Sequence, residues 1–120
     1  MIVAGFGFRS AATRDSLNDA LTRAGGCADL FATAADKAVT SEMIVFAARH
    51  GVRVVGIADV VLAMQTTFTT SQASQTARDT GSVAEAAALA AAGPGAILLA
   101  PRVVSSDRMA TCALAKGDGA

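Results

Sequence analysis

The chain has no tryptophan and no tyrosine, and five phenylalanines are its only aromatic residues among 120. Stacking platforms of the kind that hold single-stranded nucleic acid are therefore scarce. Net charge is also missing: ten Lys and Arg cancel ten Asp and Glu, which excludes the electrostatic signature of a nucleic-acid binder or a polybasic membrane-surface binder. The two cysteines, Cys27 and Cys112, show neither C-x-x-C nor disulfide-rich spacing, and read as two small buried thiols. His50 is the single histidine. No G-x-S-x-G elbow and no metal-ligand spacing of His, Cys, Asp or Glu occurs, so familiar triad and zinc hydrolases drop out, and no metal or cofactor is expected. Long apolar runs are absent too. The most apolar stretch, residues 83–100, carries Glu85 and a Gly93-Pro94-Gly95 breaker, and the opening Met1-Ile2-Val3-Ala4-Gly5 lacks a signal peptide's basic start. The expectation is a soluble, cytoplasmic protein with no nucleic-acid or membrane partner.

What the chain does have is 52% hydrophobic and 17% charged residues, the make-up of one compact domain over residues 1–120 with a core of Ala, Val, Leu and Ile. Residues 2–6 read as a buried strand. A helix capped by Thr13 follows, with Leu17, Ala20, Leu21 and Ala24 on one face and Gly25-Gly26 as its stop. Residues 30–35 read as a second strand. Ser41 begins a helix that turns Met43, Ile44, Ala47 and Ala48 inward and ends at His50-Gly51. Residues 52–58 have the β-branched character of a buried parallel strand, and Asp59 caps a short helix to Met64. Residues 65–76, rich in Thr, Ser and Gln, read as a surface loop and candidate lid. Helix resumes over residues 83–92, then come strands at 96–100 and 109–115. The link of residues 101–108 is too short for a parallel crossover, so the last strand is expected antiparallel. The alternation predicts an α/β fold: a three-layer α/β/α domain with a mixed, mainly parallel sheet of about five strands.

In such sheets ligands bind at the carboxyl ends of the strands. Arg9, Lys37 and Arg102 each follow a different predicted strand, which gathers three cations at one edge. Two backbone anion sites join them: a Gly5-Phe6-Gly7-Phe8-Arg9-Ser10 turn, and Thr80-Gly81-Ser82 at the start of the alanine-rich helix. The pattern points to an anionic ligand, although a solvated side chain or a structural ion pair is the commoner fate of any one of these cations. Other readings are weaker. A dinucleotide fingerprint fails at Ser10 and offers only Asp36 as its acid, and no Gly-Lys-Ser/Thr follows for a P-loop. Ser82-Val83-Ala84-Glu85 matches a capping box, which makes Glu85 structural. His50 falls at the amino edge of the sheet, opposite the cations, where a helix dipole explains it better than catalysis does.

Taken in order, the residues resemble the CobE proteins and the C-terminal domain of CbiG, both of cobalamin biosynthesis. The resemblance covers residues 5–115. It is carried by T-G-S-V-A-E-A-A-A-L from Thr80, A-A-G-P-G-A from Ala91 and L-L-A-P-R from Leu98, with the Gly5-x-Gly7-x-Arg9 opening. Ala32-Thr33 with Lys37-Ala38, and a serine such as Ser71 upstream of the Thr80 block, add to it. The chain departs from the family's Lys-Ala-x-Glu pattern, having Thr40 at the acid position and Glu42 two residues on. The resemblance implies a small mixed-sheet domain of corrin-ring construction. Its expected partner is a precorrin or corrinoid intermediate, rich in acetate and propionate carboxylates, bound by a carrier or accessory factor. Expected ligand-binding residues are Gly5, Gly7, Arg9, Lys37, Ser71, Thr80, Gly81, Ser82 and Arg102. Two alternatives follow from the same likeness. One is an enzyme acting on a precorrin, as in the cobalt-precorrin-5A hydrolase step of CbiG-like proteins, with Lys37 or Ser71 near the reacting centre. The other is a docking module for another enzyme of the pathway.

Overall fold

Strand β1 (Ile2–Phe8) carries apolar side chains on alternate faces and is buried from both sides. It pairs in parallel with β2 (Leu30–Ala34) and antiparallel with β6 (Ala110–Lys116). In the computed structural model, which describes residues 1–70 and 82–118, β3 (Val54–Ile57) lies parallel outside β2. The short strands β4 (Ile97–Leu98) and β5 (Val103–Val104) both run antiparallel to β6. The order β3-β2-β1-β6-β4, with β5 also on β6, is the mixed α/β sheet expected, parallel in its first half and antiparallel in its last. Helices α1 (Arg14–Ala24), α2 (Ala35–Ala38), α3 (Ser41–His50), α4 (Asp59–Ala63) and α5 (Val83–Ala92) supply the outer layers.

The two faces of the sheet are packed differently. On the α1/α3 face the core is bulky: the rings of Phe6, Phe31 and Phe46 meet edge to face or stacked with centroids 5.2 to 5.4 Å apart, among Leu17, Leu21 and Met43. The opposite face is small-grained. Seven of the ten residues of α5 are alanine, and it lies on Val3, Leu30, Ala32 and Ala115. A helix this apolar all round has to be buried on most of its surface. The glycines of β1 let it settle closer still. A Cβ on Gly5 would collide with the Ala84 carbonyl oxygen and come within 2.6 Å of the Ala88 nitrogen. At the other end of α5, a Cβ on Gly117 would meet the Ala92 carbonyl oxygen at 2.5 Å.

Local signals set both ends of α1, whereas the starts of α2, α3 and α4 carry no side-chain cap, Ala58 and not Asp59 standing at the cap of α4. Thr13 and Ser16 exchange side-chain and main-chain hydrogen bonds at the start of α1, and Gly25 and Gly26 close it at positive φ. Five expectations are corrected. The turn expected at residues 5–10 is strand through Phe8. In α3 it is Phe46, not Ile44 or Ala48, that turns inward; Ile44 is half exposed and Ala48 is exposed. β3 is an edge strand and only partly buried. The strand expected at 96–100 shrinks to Ile97–Leu98. Cys27 is exposed, whereas Cys112 is buried. Among the described residues no helix is long and apolar enough to cross a membrane.

Candidate functional site

Around the carboxyl end of β1 the structure places four of the nine predicted site residues, Arg9, Lys37, Ser82 and Arg102. Arg9 continues β1, its amide donating to the Met109 carbonyl at 2.9 Å while its side chain is exposed. Lys37, in the short helix after β2, brings Nζ 5.2 Å above the Phe8 ring. That contact sets the ends of β1 and β2 side by side and gives the ammonium a cation–π seat. The first turn of α5 arrives at the same edge, since a Cβ on Gly7 would touch Val83 Cβ at 3.4 Å and the Ala84 nitrogen at 3.6 Å. Ser82, fully buried, caps that helix by accepting from the Glu85 amide at 3.4 Å.

Arg102 reaches the site by another route than the one expected. It does not follow a strand at the edge. From Leu98 opposite Ala115 to Val103 opposite Cys112, the chain takes five steps where β6 takes three. The two surplus residues make a bulge, residues 99–102, beside the first turn of α5. There the Arg102 amide donates to Glu85 Oε2 at 2.8 Å. Among the described residues the one ion pair is Arg23–Asp19, so Arg9, Lys37 and Arg102 are not neutralised by a described carboxylate.

Gly5 and Gly7 have another role than the expected anion turn. Both lie inside β1, with their main chains paired to neighbouring strands, and their missing side chains make room for α5 and Thr111. Thr111 Oγ1 donates to the Gly7 carbonyl at 3.2 Å. Ser71, Thr80 and Gly81 lie outside the described residues, as does the second half of the 65–76 loop. His50 ends α3 on the amino side of the sheet as expected, its ring 4.7 Å from that of Phe46. A groove of about 350 Å³ adjoins it, lined by Thr13, Arg14, Asp15, Asn18, Phe46, Arg49 and His50. It runs between α1 and α3. No group of three His, Cys, Asp or Glu among the described residues could hold a metal ion.

Sequence reasoning missed three participants. Phe8 is the ring under Lys37. Thr33, fully buried, donates its hydroxyl to the Phe6 carbonyl at 2.8 Å and ties β2 to β1 just inside the edge. Glu85 is not the return half of a capping box: its carboxylate accepts from the amides of Thr69 and Arg102 instead. The available signal for Glu85 was one acid in a helix of otherwise apolar residues.

The model of the family described as cobalamin synthesis G C-terminus matches residues 2–115. The chain belongs to this family. As a cobalamin synthesis G C-terminus domain it is a protein of the cobalamin biosynthesis pathway. The crystal structure of CobE, a protein from the cobalamin (vitamin B12) biosynthetic pathway, superposes with a TM-score of 0.83 at 26% identity, over 100% of this chain and 92% of that one. The cobalamin biosynthesis protein chiG from Agrobacterium tumefaciens str. C58 is 37% identical, with a TM-score of 0.72 over 98% of this chain and 99% of its own. A cobalamin biosynthesis protein G homolog from Sulfolobus solfataricus shares the fold at 18% identity and a TM-score of 0.71, this chain spanning 37% of it. No curated protein sequence matches the chain.

Proposed function

We propose that this family domain binds a polycarboxylate precorrin or corrinoid intermediate at the carboxyl edge of β1, as a carrier or accessory factor of cobalamin biosynthesis. The observation that carries the reading is the set of cations around the first turn of α5. Lys37 on Phe8, Arg9 beyond the end of β1 and Arg102 in the bulge have no described acid to neutralise them, and the helix N-terminus adds positive potential. A corrin macrocycle edged with acetate and propionate groups offers several carboxylates at once, which suits cations drawn from three separate elements. Charge-assisted bonds at an exposed rim contribute about 1 kcal/mol each, discounted for solvent screening. Together they amount to useful affinity, although no one contact dominates.

The test is an absorbance titration of the protein with hydrogenobyrinic acid, a metal-free corrinoid polycarboxylate, repeated with Arg9→Ala and Lys37→Ala. The expected result is a saturable spectral change, weakened roughly three- to tenfold in each variant, with unchanged far-UV circular dichroism and ligand recovered intact. Equal affinity in both variants refutes the site. Chemical conversion of the ligand makes the protein an enzyme, and binding that appears only with another enzyme of the pathway makes it a docking module.

A further inference from the structure

Glu85 is a fully buried acid in the first turn of α5, and no basic side chain pairs with it among the described residues. Burying a carboxylate is costly unless its oxygens are satisfied, and here each oxygen is satisfied by a different loop. Oε1 accepts from the Thr69 amide at 2.8 Å, in the segment after α4. Oε2 accepts from the Arg102 amide at 2.8 Å, in the bulge between β4 and β5. A capping role would have turned the carboxylate back to its own helix. This one reaches outward and ties two loops, distant in sequence, to the helix end that faces the cationic edge. Among the described residues the Thr69 hydroxyl is buried without a partner, so this residue is held there by its main chain. Arg102 is likewise held by its main chain, which leaves its guanidinium free of the acid.

Building on the reading of a corrinoid site, we propose that Glu85 is the positioning residue of that site. It touches no ligand. By clasping the Arg102 and Thr69 amides to the first turn of α5, it sets the place from which the Arg102 guanidinium meets a ligand carboxylate.

The test compares wild type, Glu85→Gln, Arg102→Ala and the double variant. Two readouts are taken: amide hydrogen exchange at Thr69 and Arg102, and titration with hydrogenobyrinic acid. Gln keeps one acceptor oxygen and turns an NH2 toward the other amide. The proposal expects at least tenfold faster exchange at one of the two amides and affinity lowered about as far as in Arg102→Ala. It also expects no further loss in the double variant, because Glu85 acts through Arg102. Faster exchange with unchanged affinity, additive losses, or unchanged exchange each overturn it. If Glu85→Gln fails to fold, Glu85→Asp keeps the charge on a stem one methylene shorter, and the same comparison applies. Failure of wild type to bind overturns the corrinoid reading itself. That outcome is distinct from failure of the positioning role, which is read only against a wild type that binds.

Discussion

Replacing Gly5 by alanine adds one methyl group at the point where α5 lies closest to the sheet. An ideal Cβ there would stand 2.6 Å from the Ala88 nitrogen and 2.9 Å from Ala88 Cβ, and would run into the Ala84 carbonyl oxygen. The obstructing atoms are mostly helix backbone, which cannot rotate aside as a flexible side chain could. The helix must withdraw as a body by at least several tenths of an ångström. Its buried alanines then lose contact with Val3, Ala32 and Ala115 together. Overpacking of a tight core costs about 1 to 3 kcal/mol, and the rigidity of the obstacle puts this substitution near the upper end, ~3 kcal/mol. For a domain of 120 residues that is a drop in Tm of roughly 9 to 15 °C. Urea denaturation should show a lowered midpoint with an unchanged slope. Gly95→Ala is the control, since it has open space around its Cβ and only a positive φ of 80° to object to, at a cost of about 1 kcal/mol. A Gly5→Ala protein no less stable than the Gly95→Ala protein would refute the seating of α5 on β1.

Further expectations follow from other parts of the structure. Burial pushes the Cys112 thiol well above its usual range, so a thiol reagent at pH 8 should label the exposed Cys27 at once and Cys112 only on unfolding; two fast equivalents would contradict the fold. Hydrogen bonds from the Ser105 hydroxyl at 2.6 Å, the Ser16 hydroxyl at 2.5 Å and the Met109 amide at 3.0 Å hold the Asp107 carboxyl below its ordinary value of 3.8. A lowered folded value stabilises the fold above pH ~4 and ceases to do so as pH falls through it. Asp107→Asn should therefore be less stable at neutral pH and lose less on acidification, as followed by thermal melts between pH 7 and 2. Thr33→Val leaves the Phe6 carbonyl without its side-chain donor and should cost about 1 kcal/mol, read from chemical denaturation.

Much of the architecture could be read along the chain because its signals are local. Thr13 can cap a helix, and Gly25-Gly26 can end it, whatever the rest of the protein does. The antiparallel last strand followed from a link too short to cross over. The candidate site was half legible on the same grounds. Arg9 and Lys37 follow directly from the ends of strands, and the place of strand ends in a parallel sheet is a property of the topology. Arg102 also comes to this edge, but by a route no local rule contains. It stands in a bulge whose surplus residues become visible only when β4 and β5 are laid against β6.

The sequence by itself determined the alternation of strands and helices and the mixed sheet, because these rest on periodicity, caps and connection length. Only the tertiary structure decided what Gly5, Phe46 and Glu85 do. Gly5 in isolation could be an anion-binding turn or a packing gap, and it is a gap because α5 lies on it. Phe46 rather than Ile44 faces inward because a cluster with Phe6 and Phe31 was open to its ring. Glu85 satisfied every local requirement of a capping box, yet its carboxylate found two amides from loops 16 and 17 residues away in sequence. Spacing along a chain records which groups are neighbours on one element, whereas the partner of a buried charge is whichever donor folding brings within reach.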